Sequence, residues 1–146
     1  MEDKINNMKQ KIIIFEGIDK SGKTTLKEEL NRQSNYQYWV LDRSPISSIV
    51  YDEIFNRNNK EYWFRLIQAL YDTFDVKLIY CKTTPDIIKD RLEKANEKVQ
   101  GKLNDFTFVD KCFRNTIKLV ANKCCIVDTS NSIEESICQI MKFIED

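Results

Sequence analysis

The chain has 146 residues, 42% of them hydrophobic and 32% charged, and its 23 basic residues balance its 23 acidic ones. That length suits one domain over residues 1–146 with a core of ordinary size, and zero net charge supplies no field that draws it to nucleic acid or membrane. Histidine is absent, which excludes imidazole bases and ligands but leaves phosphoryl transfer, a reaction that runs on positioning and electrostatics.

The polar start, Met1 to Asn7, has no signal-peptide core, and no stretch approaches the ~20 apolar residues of a membrane span. A cytoplasmic setting, or host cytoplasm for a viral protein, is expected. Ile12 to Phe15 is a first buried strand: short, continuously apolar and flanked by polar residues. Thr24 to about Arg32 is a helix, and Tyr38 to Leu41 a second strand that ends in Asp42-Arg43-Ser44-Pro45. Ile46 to about Arg57 is helical with Ile46, Ile49, Val50 and Ile54 on one face. After a polar break, Glu61 to Thr73 is helical again with Trp63, Leu66, Ile67, Leu70 and Phe74 as its stripe.

Val76 to Cys81 is a third strand. Thr84-Pro85-Asp86 opens a helix, with Pro85 at the favoured first position and Ile88, Leu92, Ala95 and Val99 as its stripe. Gln100 to Asp105 is a polar gap. Phe108 to Ala121 is helical, with Val109, Phe113, Ile117 and Val120 inward. Cys124 to Val127 is a fourth strand. Ser132-Ile133-Glu134-Glu135 is a capping box for a last helix striped by Ile133, Ile137, Ile140, Met141 and Ile144. The five cysteines, Cys81, Cys112, Cys124, Cys125 and Cys138, match no zinc or redox spacing and are expected as reduced, mostly buried thiols. Cys124 and Cys125 are adjacent on a strand, so they point to opposite faces.

Alternating strands and helices predict an α/β sandwich with a short, about four-stranded parallel sheet, and with the glycine-loop motif at Gly17–Thr24 the expected fold is the P-loop NTPase three-layer sandwich. Its ligand belongs beyond the carboxyl ends of the strands. Gly17 to Thr24 lies there and fits G-x-x-x-x-G-K-[ST] between a strand and a helix. The pattern makes Gly17, Ile18, Asp19, Lys20, Ser21, Gly22, Lys23, Thr24 and Thr25 a cradle for the phosphates of ATP. Gly17 and Gly22 let backbone N–H groups converge, Lys23 reaches the β- and γ-phosphates, and the Thr24 hydroxyl is placed for Mg²⁺.

At Phe15-Glu16-Gly17-Ile18-Asp19 and Asp42-Arg43-Ser44 the chain resembles the thymidylate kinase family of P-loop nucleotide kinases. Ser47-Ser48-Ile49-Val50-Tyr51, Thr84-Pro85-Asp86 through Asp90-Arg91-Leu92, Asp105-Phe106 into the Phe113 helix, and Ile126-Val127-Asp128-Thr129 extend the resemblance over nearly the whole chain. It implies transfer of the ATP γ-phosphoryl to a deoxynucleotide-type acceptor. Asp42 joins Thr24 in holding magnesium, Arg43 grips the acceptor's phosphate, Asp19 faces its 3′-hydroxyl, and Tyr51 and Ser47 lie on the acceptor side. Arg91, with Thr129 and Ser130 beyond the last strand, lies on the adenine side. Catalytic roles then fall to Lys23, Lys20, Asp42 and Arg91. Lys20 resembles the cation that some members supply from within the loop, because the lid region offers Lys98 and Lys102 but no arginine. Blander readings stand beside these: a solvated lysine for Lys20, a surface ion pair for Asp42 and Arg43, core packing for Tyr51, a helix-start serine for Ser47 and a helix-surface charge for Arg91.

The resemblance breaks between Thr25 and Leu41. Family members insert there a further strand, an Arg-Glu-Pro-Gly-like turn and helices that close over the monophosphate. Cys81-Lys82 also stands where members often carry an aspartate. An open acceptor side admits other substrates: a deoxynucleoside, or a hydroxymethylated pyrimidine base in DNA, in which case nucleic acid enters only as a substrate. A non-catalytic nucleotide-binding module is the third alternative. An exposed apolar helix face would suit a homodimer, as in family members.

Overall fold

Four consecutive apolar residues leave a strand no polar face, so β1 (Lys11–Glu16) must be covered on both sides, and Ile12, Ile13, Ile14 and Phe15 are each fully buried. At roughly 2 kcal/mol for each buried side chain of this size, this strand is the organising element of the fold. The computed structural model describes residues 9–98 and 101–146. β1 pairs in parallel with β2 (Trp39–Asp42) on one side and β3 (Asp75–Lys82) on the other, and β4 (Cys125–Asp128) adds beyond β3, giving the order β2-β1-β3-β4. The chain leaves β1 in one direction and returns from β2 to its opposite side, which makes the carboxyl end of β1 the switch point of the sheet.

Among the described residues six helices cover the sheet: α1 (Lys23–Gln33), α2 (Pro45–Phe55), α3 (Lys60–Thr73), α4 (Pro85–Lys94), α5 (Phe106–Val120) and α6 (Ile133–Glu145), with a short 3₁₀ turn at Gly101–Asn104. Because strand side chains alternate, two cores form. Ile12, Ile14, Leu78 and Tyr80 meet α2, α3, α4 and α5 on one face. Ile13, Phe15, Ile79, Cys81, Cys125 and Val127 meet α1 and α6 on the other. The expected α/β three-layer sandwich with a four-stranded parallel sheet is the structure observed. Cys124 and Cys125 do face opposite cores. All five thiols are free, and of them Cys138 is exposed. Among the described residues no helix is long and apolar enough to cross a membrane.

Several boundaries and faces differ from expectation. β2 runs one residue later than Tyr38–Leu41, because pairing of Phe15 with Asp42 carries Asp42 into the strand. The α4 helix stops at Lys94, where Asn96 turns left-handed (φ 53°) and Glu97 N–H closes on the Leu92 carbonyl at 2.9 Å, a common helix ending. Ala95 is therefore exposed rather than part of a stripe, and Val99 and Gln100 lie outside the described residues. α5 starts at Phe106, two residues earlier than expected, since Asp105 accepts from Phe108 N–H and Phe106 is buried. Leu66 and Ile133 were expected inward but are 37% and 46% exposed.

Candidate functional site

Gly17 follows β1 at φ 148°, and Gly22 precedes α1 at φ 95°. A Cβ on Gly17 would clash with the Cys81 carbonyl oxygen at 2.5 Å, and one on Gly22 would crowd the Thr129 side chain at 3.0 Å. Lys20, between them, is also left-handed (φ 64°). Left-handed residues within such a loop turn successive N–H groups to one side and form a concavity for anions. Gly22 caps α1 with no side-chain hydrogen bond, so the first amides and the positive end of that helix are left for a ligand. Ser21 and Ile18, both buried, anchor the loop from below.

A cavity of about 730 Å³ opens on this loop. Of the residues singled out in the sequence, Asp19, Lys20, Gly22, Lys23, Thr24, Thr25, Asp42, Arg43, Arg91 and Thr129 line it, whereas Gly17, Ile18, Ser21, Ser47, Tyr51 and Ser130 do not. Lys23 is 7% exposed. Burial pushes its ammonium below the ordinary 10.5, helped by the Arg43 charge and opposed by Asp42 and Asp19. A cation held this far from water gains more than a solvated one from an arriving anion.

Arg43 turns the chain from β2 into α2 with a left-handed backbone (φ 71°), fixed by its N–H on the Phe15 carbonyl at 2.9 Å. Its Nη1 donates to the Gly17 carbonyl (3.2 Å) and Ser47 Oγ (3.0 Å), and its Nη2 meets Asp19 Oδ1 at 2.6 Å. The Tyr51 ring lies 5.7 Å from the guanidinium carbon and edge-on to Phe113. Tyr51 thus backs Arg43 from the core side. Among the described residues Asp42 does not pair with Arg43; its Oδ2 stands 3.6 Å from Lys27 Nζ. The helix-start serine is Ser44, whose hydroxyl accepts from Ile46 N–H at 3.1 Å.

The opposite wall joins three segments. Arg91 Nη1 donates to the Lys20 carbonyl at 2.7 Å, and its Nη2 to the Thr129 carbonyl at 3.3 Å. The Thr129 N–H closes on Lys82 O at 2.9 Å. Arg91 therefore ties the Gly17–Thr24 loop to the loop after β4 while facing the cavity. The Lys20 ammonium sits 3.1 Å from Glu97. Ser130 instead turns to Asp128, with its N–H 2.9 Å from the carboxylate.

Comparison with solved structures locates the fold. The chain matches the YorR protein of Bacillus subtilis, solved with phosphorylated GDP, at TM-score 0.68 and 19% identity, covering 92% of this chain and 95% of that one. The two share a fold. A sugar kinase from a Janibacter species matches at TM-score 0.47 and 12% identity, covering 94% of this chain and 95% of the other. No family model matches the chain, and no curated protein does.

The oxygen set suits magnesium. Thr24 offers a hydroxyl and Asp42 a carboxylate on the same cavity, and Mg²⁺ typically takes one or two protein oxygens and completes its octahedron with water and substrate phosphates. Among the described residues no cluster of three or more acidic, cysteine or histidine side chains offers an all-protein metal cage. Glu97, Asn131, Ile133 and Ser136 also line the cavity and were not singled out. Ile133 has an apolar spacing that fits a core stripe equally well, and the others carry no local signal. Glu16, fully buried beside the loop, was quoted in a motif but given no role.

Proposed function

We propose that the chain is an ATP-dependent phosphotransferase and, within that class, a deoxynucleoside monophosphate kinase similar to thymidylate kinases. The observation that carries this is one cavity on which Lys23 and Thr24 of the loop meet Asp42 and Arg43 from the end of β2. The fold shared with YorR, itself solved with phosphorylated GDP, suits a nucleotide ligand.

In this reading Lys23 and the loop amides hold the donor's phosphates. Thr24 and Asp42 hold Mg²⁺, which neutralises charge on the phosphate oxygens. Lys20, exchanging Glu97 for phosphate, and Arg91 meet charge that develops in transfer. Arg43 takes the acceptor's phosphate by its planar edge. The acceptor must displace Asp19 from Arg43, and that is inexpensive: the Asp19 side chain is 69% exposed, and such pairs contribute about 1 kcal/mol or less. Released, Asp19 can accept from a sugar hydroxyl.

Labelled ATP incubated with thymidine monophosphate, thymidine and duplex DNA carrying hydroxymethyluracil tests this. Label is expected on the monophosphate. Label on DNA with the monophosphate unlabelled would replace the acceptor, and label on none would leave a binding module. Chelation of Mg²⁺ is expected to stop transfer, and added Mg²⁺ to restore it.

A further inference from the structure

Glu16 is the last residue of β1 and is fully buried. Neither phosphate nor metal binding uses it, and it does not line the cavity. Its carboxylate is occupied from the start of α2. Ser44 Oγ donates to Oε2 at 2.7 Å and Ser47 N–H to the same oxygen at 3.0 Å, while the Ser47 hydroxyl donates to Oε1. Ser47 Oγ in turn accepts from Arg43 Nη1. The chain Glu16–Ser47–Arg43 therefore reaches from the central strand to a guanidinium that faces the cavity. A buried carboxylate is an expensive way to pack a helix start, but this one takes three donors, and the Ser47 hydroxyl that donates to it keeps a lone pair for Arg43.

We propose that Glu16 is a positioning residue for the acceptor: through Ser47 it presets the Arg43 guanidinium against the phosphate loop. An arginine side chain carries much rotamer freedom. Held on Ser47 Oγ and the Gly17 carbonyl, it presents its remaining edge at a set distance from the donor phosphates, and less ordering is left for the moment of binding. The inference rests on the phosphotransferase reading above.

Glu16→Gln keeps the shape but turns one acceptor oxygen into a donor that faces a donor. Ser47→Ala removes the relay hydroxyl and leaves Glu16 its bonds from Ser44 and from the Ser47 N–H, so it stands in if the glutamine variant folds poorly. Each is expected to raise the acceptor KM about tenfold, the scale of one hydrogen bond to a charged group, with the ATP KM within about twofold. In an Arg43→Ala background neither should add to the acceptor KM, because the two changes act through one group. Side-chain nitrogen NMR reads the link without activity: the slowly rotating Arg43 guanidinium of the parent should average in both variants. An unchanged Arg43 signal overturns the proposal, as does an equal loss for ATP and acceptor or an additive effect with Arg43→Ala. A parent protein that labels no acceptor sinks the phosphotransferase reading alone, and the guanidinium signal still decides the Glu16 link.

Discussion

Lys23→Met is expected to lower turnover about 10²–10³-fold while the unliganded fold melts at the same temperature or a few degrees higher. The first half follows from removing a fixed positive charge from the transferred phosphates, a loss of ~3–4 kcal/mol in comparable sites. The second follows from burial. Lys23 is 7% exposed, and its pKa is lowered from 10.5 chiefly by desolvation. Between that lowered value and 10.5 the unfolded chain binds the proton more readily than the folded one, so stability rises with pH through this window. Below that window the buried cation works against the fold. Methionine has similar reach and no charge, so it relieves that cost. Added ATP should raise the parent's melting point, since ligand at about 100 times its Kd stabilises by ~2.7 kcal/mol, and should leave the variant's unchanged. Melting curves with and without ATP, together with single-turnover transfer, check both halves. An active Lys23→Met protein would remove the phosphate-loop assignment, and a strongly destabilised one would contradict the account of its burial.

Gly17→Ala is expected to have the largest effect on stability. Its Cβ would lie 2.5 Å from the Cys81 carbonyl oxygen, a backbone atom of the neighbouring strand β3, and 2.7 Å from Ser21 Oγ. The φ of 148° adds strain for any L side chain. Overpacking and an unfavourable backbone well each cost about 1–3 kcal/mol, so a combined loss of ~3–5 kcal/mol is expected. At about 3 °C per kcal/mol for a chain of this size, the melting point should fall by ~10–15 °C. Gly22→Ala should cost less, because the first atoms it meets are side-chain atoms of Thr129 at 3.0 Å. Thermal unfolding of the two variants side by side tests the ranking. Equal losses would mean that the loop gives way at Gly17 without moving β3.

Much of this was legible from local signals. The run Ile12–Phe15 read as a strand covered on both faces, and Gly17 to Thr24 after it as a turn leading into a helix, which the structure starts at Lys23. Asp42 and Arg43 followed a second strand and so had to share its rim. Helix ends were read within a few residues where a proline or cap marked them, as at Pro85 and Ser132. They were missed where an unmarked left-handed residue decided, as at Asn96. Ile133 shows the limit of periodicity: it has core spacing, but at the first position of α6 it faces the cavity.

What the sequence by itself determined is the loop from Gly17 to Thr24 and its place between a strand and a helix. That segment is contiguous, so its glycines, lysine and threonine are held close together by the covalent chain. What only the tertiary structure decided is the company each charge keeps. Arg43 is set by Gly17, Ser47 and Asp19, Lys20 by Glu97, Arg91 by the Lys20 and Thr129 carbonyls, and Glu16 by the start of α2. Except for Ser47, these partners are many residues away in sequence. They meet because parallel strands bring all their carboxyl ends to one rim, and hydrogen bonds at 3 Å depend on that packing rather than on spacing along the chain.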